Sequence, residues 1–408
     1  MQALSFLKHR FGTMVLVFVI LFCLYSTFLY LTAGQRGFDK VLSQLSLQFT
    51  KGHVALSIYN LPVRDVSAYY NNYYVYFGPL GSILLMPFVY FFGDNFPQIT
   101  IGVSAMLISF VTVYFISKKF KFNRIDSLWL SLFFVFSTVL FSSGVINITA
   151  YQVEALGVPF ILLAIWAYLT KRNSFLTGLF VALATMTRIT LMFSLVFFFV
   201  ELLRKKLSIK QFAIMLIPVV LALVILGGYN FKRFHSVFET GYNYNISTKD
   251  FPIGQNLKYG DKSIMHIPAN LYSFLIMSPE PLLKDKTGGF VLKFPYLKVS
   301  PWGVALWFTS PLFLLLLTKF KKGEYTFSAA VTTIVLATPV FLWYSIGYAQ
   351  IGYRYALDFL PFLFLLLIPS LLPKLTKTAV LLIILGIVFN LVYTDSIWEL
   401  YPLFNLYH

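Results

Sequence analysis

The sequence has a single cysteine and few charges. Cys23 lies inside an apolar run, so a disulfide framework and a paired-cysteine metal or redox site are both excluded. Only 12% of the 408 residues are charged, while 58% are hydrophobic and 19% aromatic. A soluble domain carries about 25% charged residues. Two or three soluble domains of this composition would expose more apolar surface than so thin a charged coat covers. That excludes an ordinary cytosolic enzyme and a disordered chain. Acids are scarcest: 15 Asp+Glu stand against 32 Lys+Arg, a net charge of +17. Also lacking are a repeat between the halves, a Gly-rich phosphate loop, an HExxH and a GxSxG.

What the chain has is long apolar runs. A helix needs roughly 20 apolar residues to cross a hydrocarbon core about 30 Å thick. Such runs lie at 11–31 and near 99–117, 126–146, 154–170, 175–203, 211–229, 301–318, 326–346, 356–372 and 379–396. The first is preceded by Lys8, His9 and Arg10 and shows no small-residue cleavage site, so it reads as a retained span with the N-terminus cytoplasmic. Basic clusters follow at Lys118/Lys119/Lys121/Arg124, Lys171/Arg172, Arg204/Lys205/Lys206/Lys210, Lys319/Lys321/Lys322 and Lys374/Lys377. All five fall on the cytoplasmic side if two conditions hold. The short stretch 78–92 re-enters or lies along the interface, and the run 175–203 folds back as two short helices broken near Thr187 and Arg188. The result is an all-α polytopic membrane protein of about eleven spans. If 78–92 crosses instead, a basic cluster is stranded outside.

The eleven-span plan leaves two sizeable external segments, 34–77 ahead of the re-entrant stretch and about 230–300. Most acids fall outside too: Asp39, Asp65, Glu154, Glu239, Asp250, Asp261, Glu280 and Asp285. Chemistry is therefore expected on the external or periplasmic face of the plasma membrane, and nucleic acid is not an expected partner.

Five ionisable residues carry the chemical argument. Asp39 and Asp65 flank an amphipathic external segment. Each is a solvated loop acid or a general base for an acceptor hydroxyl. Glu154, in NITAYQVEALG, either complements a helix N-terminus or serves a site at the membrane rim. Arg188 interrupts a run of nearly 30 apolar residues. A Lys or Arg at mid-span costs about 2.5–3.5 kcal/mol on insertion scales. Snorkelling relieves that cost, and so does a helix break facing a watery cavity, where the guanidinium fork suits phosphate. Arg354 has Asp358 four residues on, sharing one helix face. The pair is a structural ion pair, or Asp358 holds an Arg354 aimed at phosphate. Lys232, Arg233 and His235 form a basic–aromatic stretch that meets lipid head groups or shapes the mouth of a lipid-phosphate site. His53 and His266 read as ordinary loop histidines. The abundant Tyr and Phe read mostly as interface belts, though a few external Tyr could stack on sugar rings.

Four stretches, in this order, carry a resemblance: DVSAYYNNYYVYFGPLGSILLMPFVYFFG (65–93), LTGLFVALATMTRITLMFSL (176–195), GYNFKRFHSVFETGY (228–242) and IGYRYALDFLPFLFLL (351–366). With them the chain resembles bacterial GT-C glycosyltransferases of the protein mannosyltransferase and aminoarabinose transferase type, in particular the dolichyl-phosphate-mannose-mannosyltransferase-like branch. The resemblance implies one transmembrane domain over 1–408. It comprises a first external loop with interfacial helices (34–98), a large external loop (230–300) and C-terminal helices (301–408). It implies sugar transfer from a polyprenyl-phosphate donor to a glycan, lipid or protein acceptor, with inversion. The base would be Asp39 or Asp65, and Glu154 would match a second external acid. Arg188 and Arg354 would meet the lipid phosphate with Arg233, while Asp358, Lys232 and His235 support them. The chain departs from the family in two places: Lys40 follows Asp39 where many members have an acid pair, and Gly78-Pro79-Leu80 replaces Pro-Pro-Leu. No soluble domain follows the last span, so the loops alone are expected to hold the acceptor. Metal dependence stays open, since clustered acids suit a divalent ion and an acid–base pair equally. Two other classes are a polytopic transporter or lipid-carrier flippase, and a non-catalytic scaffold. A transporter is expected to place polar groups at mid-membrane and often to show related halves.

Overall fold

The computed structural model describes residues 39–57, 65–171, 173–246, 253–283 and 292–394. The expected first span at 11–31, with Cys23, lies outside them, as do Arg172, Asp250 and Asp285. The chain is mostly helical, as an all-α membrane protein would be, with two small antiparallel sheets in its loops among the described residues. In the first, β1 (Val66–Tyr69) pairs with β2 (Asn72–Val75), Tyr69 opposite Asn72. The connecting residues Tyr70 and Asn71 both have positive φ, 44° and 58°. Two such residues make the tight turn whose twist matches that of the strands. Tyr at such a position is uncommon, and this is why spacing alone did not announce the hairpin. The second sheet pairs β3 (Glu280–Leu283) with β4 (Leu292–Lys298).

The helices begin with α1 (Val41–Thr50) and α2 (Leu80–Phe92). The 13 residues of α2 rise only about 20 Å, short of a hydrocarbon core. Phe88, Tyr90, Phe91 and Phe92 on it are exposed. Then come α3 (Ile99–Lys119), α4 (Arg124–Phe136), α5 (Val139–Val145), α6 (Thr149–Leu169), α7 (Ser174–Thr187), α8 (Leu195–Leu203) and α9 (Ile209–Phe234). Among the described residues, α3, α6 and α9 are each long and apolar enough to cross a membrane. The pair α4–α5, bent by 59°, makes a fourth if it counts as one span. Side-chain caps start several helices beside the basic clusters. Asn123 accepts from the Asp126 amide, Asn173 from the Phe175 amide, and Ser208 closes a capping box with Gln211.

The run 175–203 breaks at Arg188, between Thr187 and a 3-10 turn at Ile189–Ser194. The chain folds back there as expected: Thr187 and Arg188 lie beside Gly157 and Glu154 in the first half of α6, and Glu201 of α8 returns to Tyr168 at its end. Helix α7 packs against α6 and α9, whereas α8 packs against α13 (Thr326–Phe341). Gly178 permits the close α7–α9 approach: a Cβ there would lie 2.7 Å from the Met215 Cα. Helix α10 (Ile267–Leu275) lies in the large loop.

The expected single span at 301–318 is instead α11 (Leu306–Thr309), a 3-10 turn (Pro311–Leu314) and α12 (Leu315–Thr318). Pro311 has no amide hydrogen to continue the ladder, the Phe313 amide turns to the Ser310 carbonyl at 3.1 Å, and the Thr309 carbonyl accepts from Asn390 Nδ2 at 2.7 Å. The last described helices are α14 (Leu360–Leu371) and α15 (Lys377–Tyr393). Far along α8 sits a fully buried carboxylate that the sequence did not single out. Glu201 accepts from Tyr168 at 3.0 Å, from Arg204 at 2.8 Å and from Ser328, tying α6, α8 and α13 together.

Candidate functional site

A cavity of about 740 Å³ is lined by Asp65, Glu154, Arg188, Arg233 and Arg354. Five charged residues from sequence positions almost 300 apart therefore share one chamber. Each arrives by a local device.

Asp65 stands at the foot of β1 with φ +60°, a left-handed conformation that Asp tolerates better than most residues. Its Oδ1 accepts from the Tyr76 hydroxyl at 2.7 Å, and its Oδ2 from the Ala150 amide at 3.2 Å. Burial and the adjacent Asp65 carboxylate push the Tyr76 phenol well above its ordinary value, so Tyr76 stays a donor.

Asp39 does not line the cavity. Its Oδ2 accepts from the amide and the hydroxyl of Thr149, both at 2.8 Å, and its Oδ1 from the Val41 amide at 3.0 Å. One carboxylate thus caps the starts of α1 and α6 together. Ile148, the residue before α6, offers no side-chain cap of its own. Asp39 and Asp65 serve successive amides of one helix start, a natural seat for negative charge. Burial and, secondarily, Asp65 push the Asp39 carboxyl up to about 6.

Arg188 holds the break after α7 in extended backbone, φ −142° and ψ 123°. The break is filled by the first loop, with the Gly78 amide donating to the Thr187 carbonyl at 3.2 Å. Glycine is required there, because a Cβ would run into the carbonyls of Met186 and Thr187. The Gly78-Pro79-Leu80 turn is therefore the joint between the hairpin carrying Asp65 and the break carrying Arg188.

The ion pairs cross over relative to the expected Arg354–Asp358 pairing. Arg354 Nη1 lies 3.1 Å from both carboxylate oxygens of Glu154. Asp358 instead accepts from Arg188 at 2.8 Å and from Thr190 at 3.1 Å. The reason is local: residues 354–358 form a 3-10 turn. With three residues per turn, positions i and i+4 no longer share a face as they do on an α-helix. Arg188 Nη1 also stands 3.9 Å from Glu154 Oε1, which joins the two pairs into one quartet, buried except for the half-buried Arg188. Tyr151 and Tyr355 stack on the Arg354 guanidinium at 4.7 and 4.9 Å.

Arg233 lines the cavity but is only 2% exposed. It donates to the Val75 carbonyl and, at 2.6 Å, to Asn230, with the rings of Tyr229 and Phe234 at 3.9 and 4.7 Å. This ties β2 to the end of α9, so Arg233 braces the hairpin that carries Asp65. Lys232 and His235 do not line the cavity. Lys232 reaches the Gly52 carbonyl at 3.4 Å, and His235 is the left-handed cap of α9. His266 is buried against the Gly260 carbonyl at 2.8 Å.

Comparison with protein-family models, curated proteins and solved structures returns no match.

The site is therefore read from its own groups. Among the described residues no set of three His, Cys, Asp or Glu side chains is placed to hold a metal ion. Glu154 and Asp358 face arginines, and Asp39 and Asp65 face amides and hydroxyls, so a divalent ion does not fit these residues. The arrangement offers one carboxylate beside a protonated phenol, and two arginines held by carboxylates, Arg188 at a helix break and Arg354 in a 3-10 turn. Sequence reasoning missed the aromatic partners Tyr76, Tyr151, Tyr242, Trp343 and Tyr355. In a chain with 26 Tyr and 45 Phe, no spacing distinguishes them.

Proposed function

We propose that this protein is a membrane glycosyltransferase that moves a sugar from a polyprenyl-phosphate donor to an acceptor hydroxyl, with inversion. A bundle of about eleven spans, with the cavity on the external face, belongs to the same reading. The observation that carries it is the meeting of Asp65 with Arg188 and Arg354 in one chamber lined by both polar and apolar side chains. Phosphate leaves readily only when its charge is met, and rigidly held guanidinium groups do this without reorganisation.

In the proposed reaction Asp65 takes the proton of the acceptor hydroxyl. The hydroxyl oxygen bonds to the anomeric carbon from the face opposite the phosphate. The bond from that carbon to the phosphate oxygen breaks, and its electron pair leaves with the lipid phosphate toward Arg188 and Arg354. Glu154 and Asp358 fix the two guanidinium groups, leaving Arg188 Nη2 and Nε for a ligand. Asp65 is preferred to Asp39 as base because Asp39 is engaged at two helix starts away from the chamber. The test is transfer by purified protein given a polyprenyl-phosphate hexose, with the anomeric configuration of the product determined. Full transfer by Asp65→Asn would defeat the assignment. Movement of the lipid carrier across vesicles without any transfer would favour the flippase reading instead.

A further inference from the structure

Above its charged floor the cavity changes character. The segment 261–263 pairs with 342–344: the Ser263 amide donates to Leu342 O at 2.9 Å and the Tyr344 amide to Asp261 O at 3.0 Å. Lys262 and Trp343 form the bridge between them. This pairing sets Asp261 beside Trp343 on the cavity wall. The neighbouring wall is the strap after α9, and it carries Tyr242. The Tyr242 and Trp343 rings meet at 76° with centroids 5.5 Å apart, forming a corner. Tyr242 also lies 4.6 Å from Tyr76, the phenol that donates to Asp65. Beside it, Glu239 accepts from the Gly241 amide and from Asn243 Nδ2, both at 2.7 Å.

Flat apolar ring faces rimmed by carboxylate and amide groups select a particular chemistry. A pyranose has a C–H face that covers an aromatic ring and a rim of hydroxyls that carboxylates accept from. An acyl chain would bury Glu239 and Asp261 against hydrocarbon, at a cost in lost hydration. An extended peptide is held by an open strand edge. Here the extended segments at the mouth already pair, 261–263 with 342–344 and Val66–Ser67 with Asn245–Ile246.

We infer that the Tyr242–Trp343 corner is the acceptor subsite, and that the acceptor is a carbohydrate whose ring rests in the corner with one hydroxyl directed inward to Asp65. The inference rests on the glycosyl-transfer reading and narrows its acceptor from glycan, lipid or protein to glycan.

The experiment is equilibrium binding of soluble trisaccharides, one of neutral hexose and one of N-acetylhexosamine, to the purified full chain in detergent. Transfer is assayed in parallel. Saturable binding of at least one trisaccharide is expected. It should weaken about tenfold or more in Trp343→Leu and in Tyr242→Leu, the scale of one lost ring contact, and persist in Tyr242→Phe. Affinity for the polyprenyl-phosphate sugar should be unchanged in all three variants, which also shows that they fold. The inference is overturned if neither trisaccharide saturates, or if the Leu variants bind as the unaltered protein does. Saccharide binding without any transfer would sink the donor reading and leave the subsite standing. Transfer to a lipid or peptide acceptor, undiminished in the Leu variants, would do the reverse.

Discussion

Asp39 Oδ2 accepts both the amide and the hydroxyl of Thr149, each at 2.8 Å, while the next amide, of Ala150, goes to Asp65. Two aspartates therefore share one helix start, but only Asp65 reaches the chamber. Their substitutions should separate accordingly. Asp39→Ala should lower stability by about 1–2 kcal/mol, the scale of a lost cap, seen as a lower unfolding temperature in detergent. Asp65→Asn turns one of two accepting oxygens into a donor, so it should also cost about 1–3 kcal/mol, but it alone should cut transfer by about 10²–10⁴, the range for removing a general base.

The pH response of Asp39 has a definite sign. Its carboxyl is pushed up to about 6 in the folded protein, above the 3.8 of an unperturbed group. Between those values the folded chain holds a proton that the unfolded chain has released. Stability from this group is therefore full below about 4, falls as pH rises towards 6 and is flat above it. Asp39→Asn should flatten this slope between pH 4 and 6 in thermal unfolding measured across buffers. An unaltered slope in the variant would refute it.

Glu154 and Arg354 are both buried and face each other at 3.1 Å. Removing one partner strands the other charge, so Glu154→Gln and Arg354→Met should each destabilise by about 3–5 kcal/mol. The double variant should recover most of that loss, because no charge remains unpaired, while donor binding stays impaired. A double variant as unstable as the sum of the singles would show that the pair is not coupled.

Gly78 is the joint between the first loop and the Arg188 break. Gly78→Ala forces a methyl group into the backbone of Met186 and Thr187. A cost of about 1–3 kcal/mol is expected, typical of overpacking, together with weaker binding of polyprenyl phosphate because Arg188 is displaced. Gly52→Ala is the control. Its φ is positive, so the substitution strains the backbone locally, but a Cβ there meets nothing within 4 Å and donor binding should be unaffected.

Local chemistry in the sequence settled much of this protein. A charge inside an apolar run required a break, and the helix does end at Arg188. The apolar stretch 78–92 was short for a span by its own length, and the helix there has 13 residues. Hydropathy could not say which runs are single straight helices, because Pro311 and the bend between α4 and α5 cut runs that look continuous. Nor could it say which acids meet which cations. Helical spacing paired Arg354 with Asp358, but the 3-10 turn undid that face and tertiary packing joined Arg354 to Glu154 and Arg188 to Asp358. Asp39 and Asp65 were indistinguishable as loop acids. Their difference arose only when α6 brought Thr149 to one and the chamber to the other. Period and composition act within a few residues along the chain, whereas the partners of a buried charge are decided by which distant segments must neutralise it.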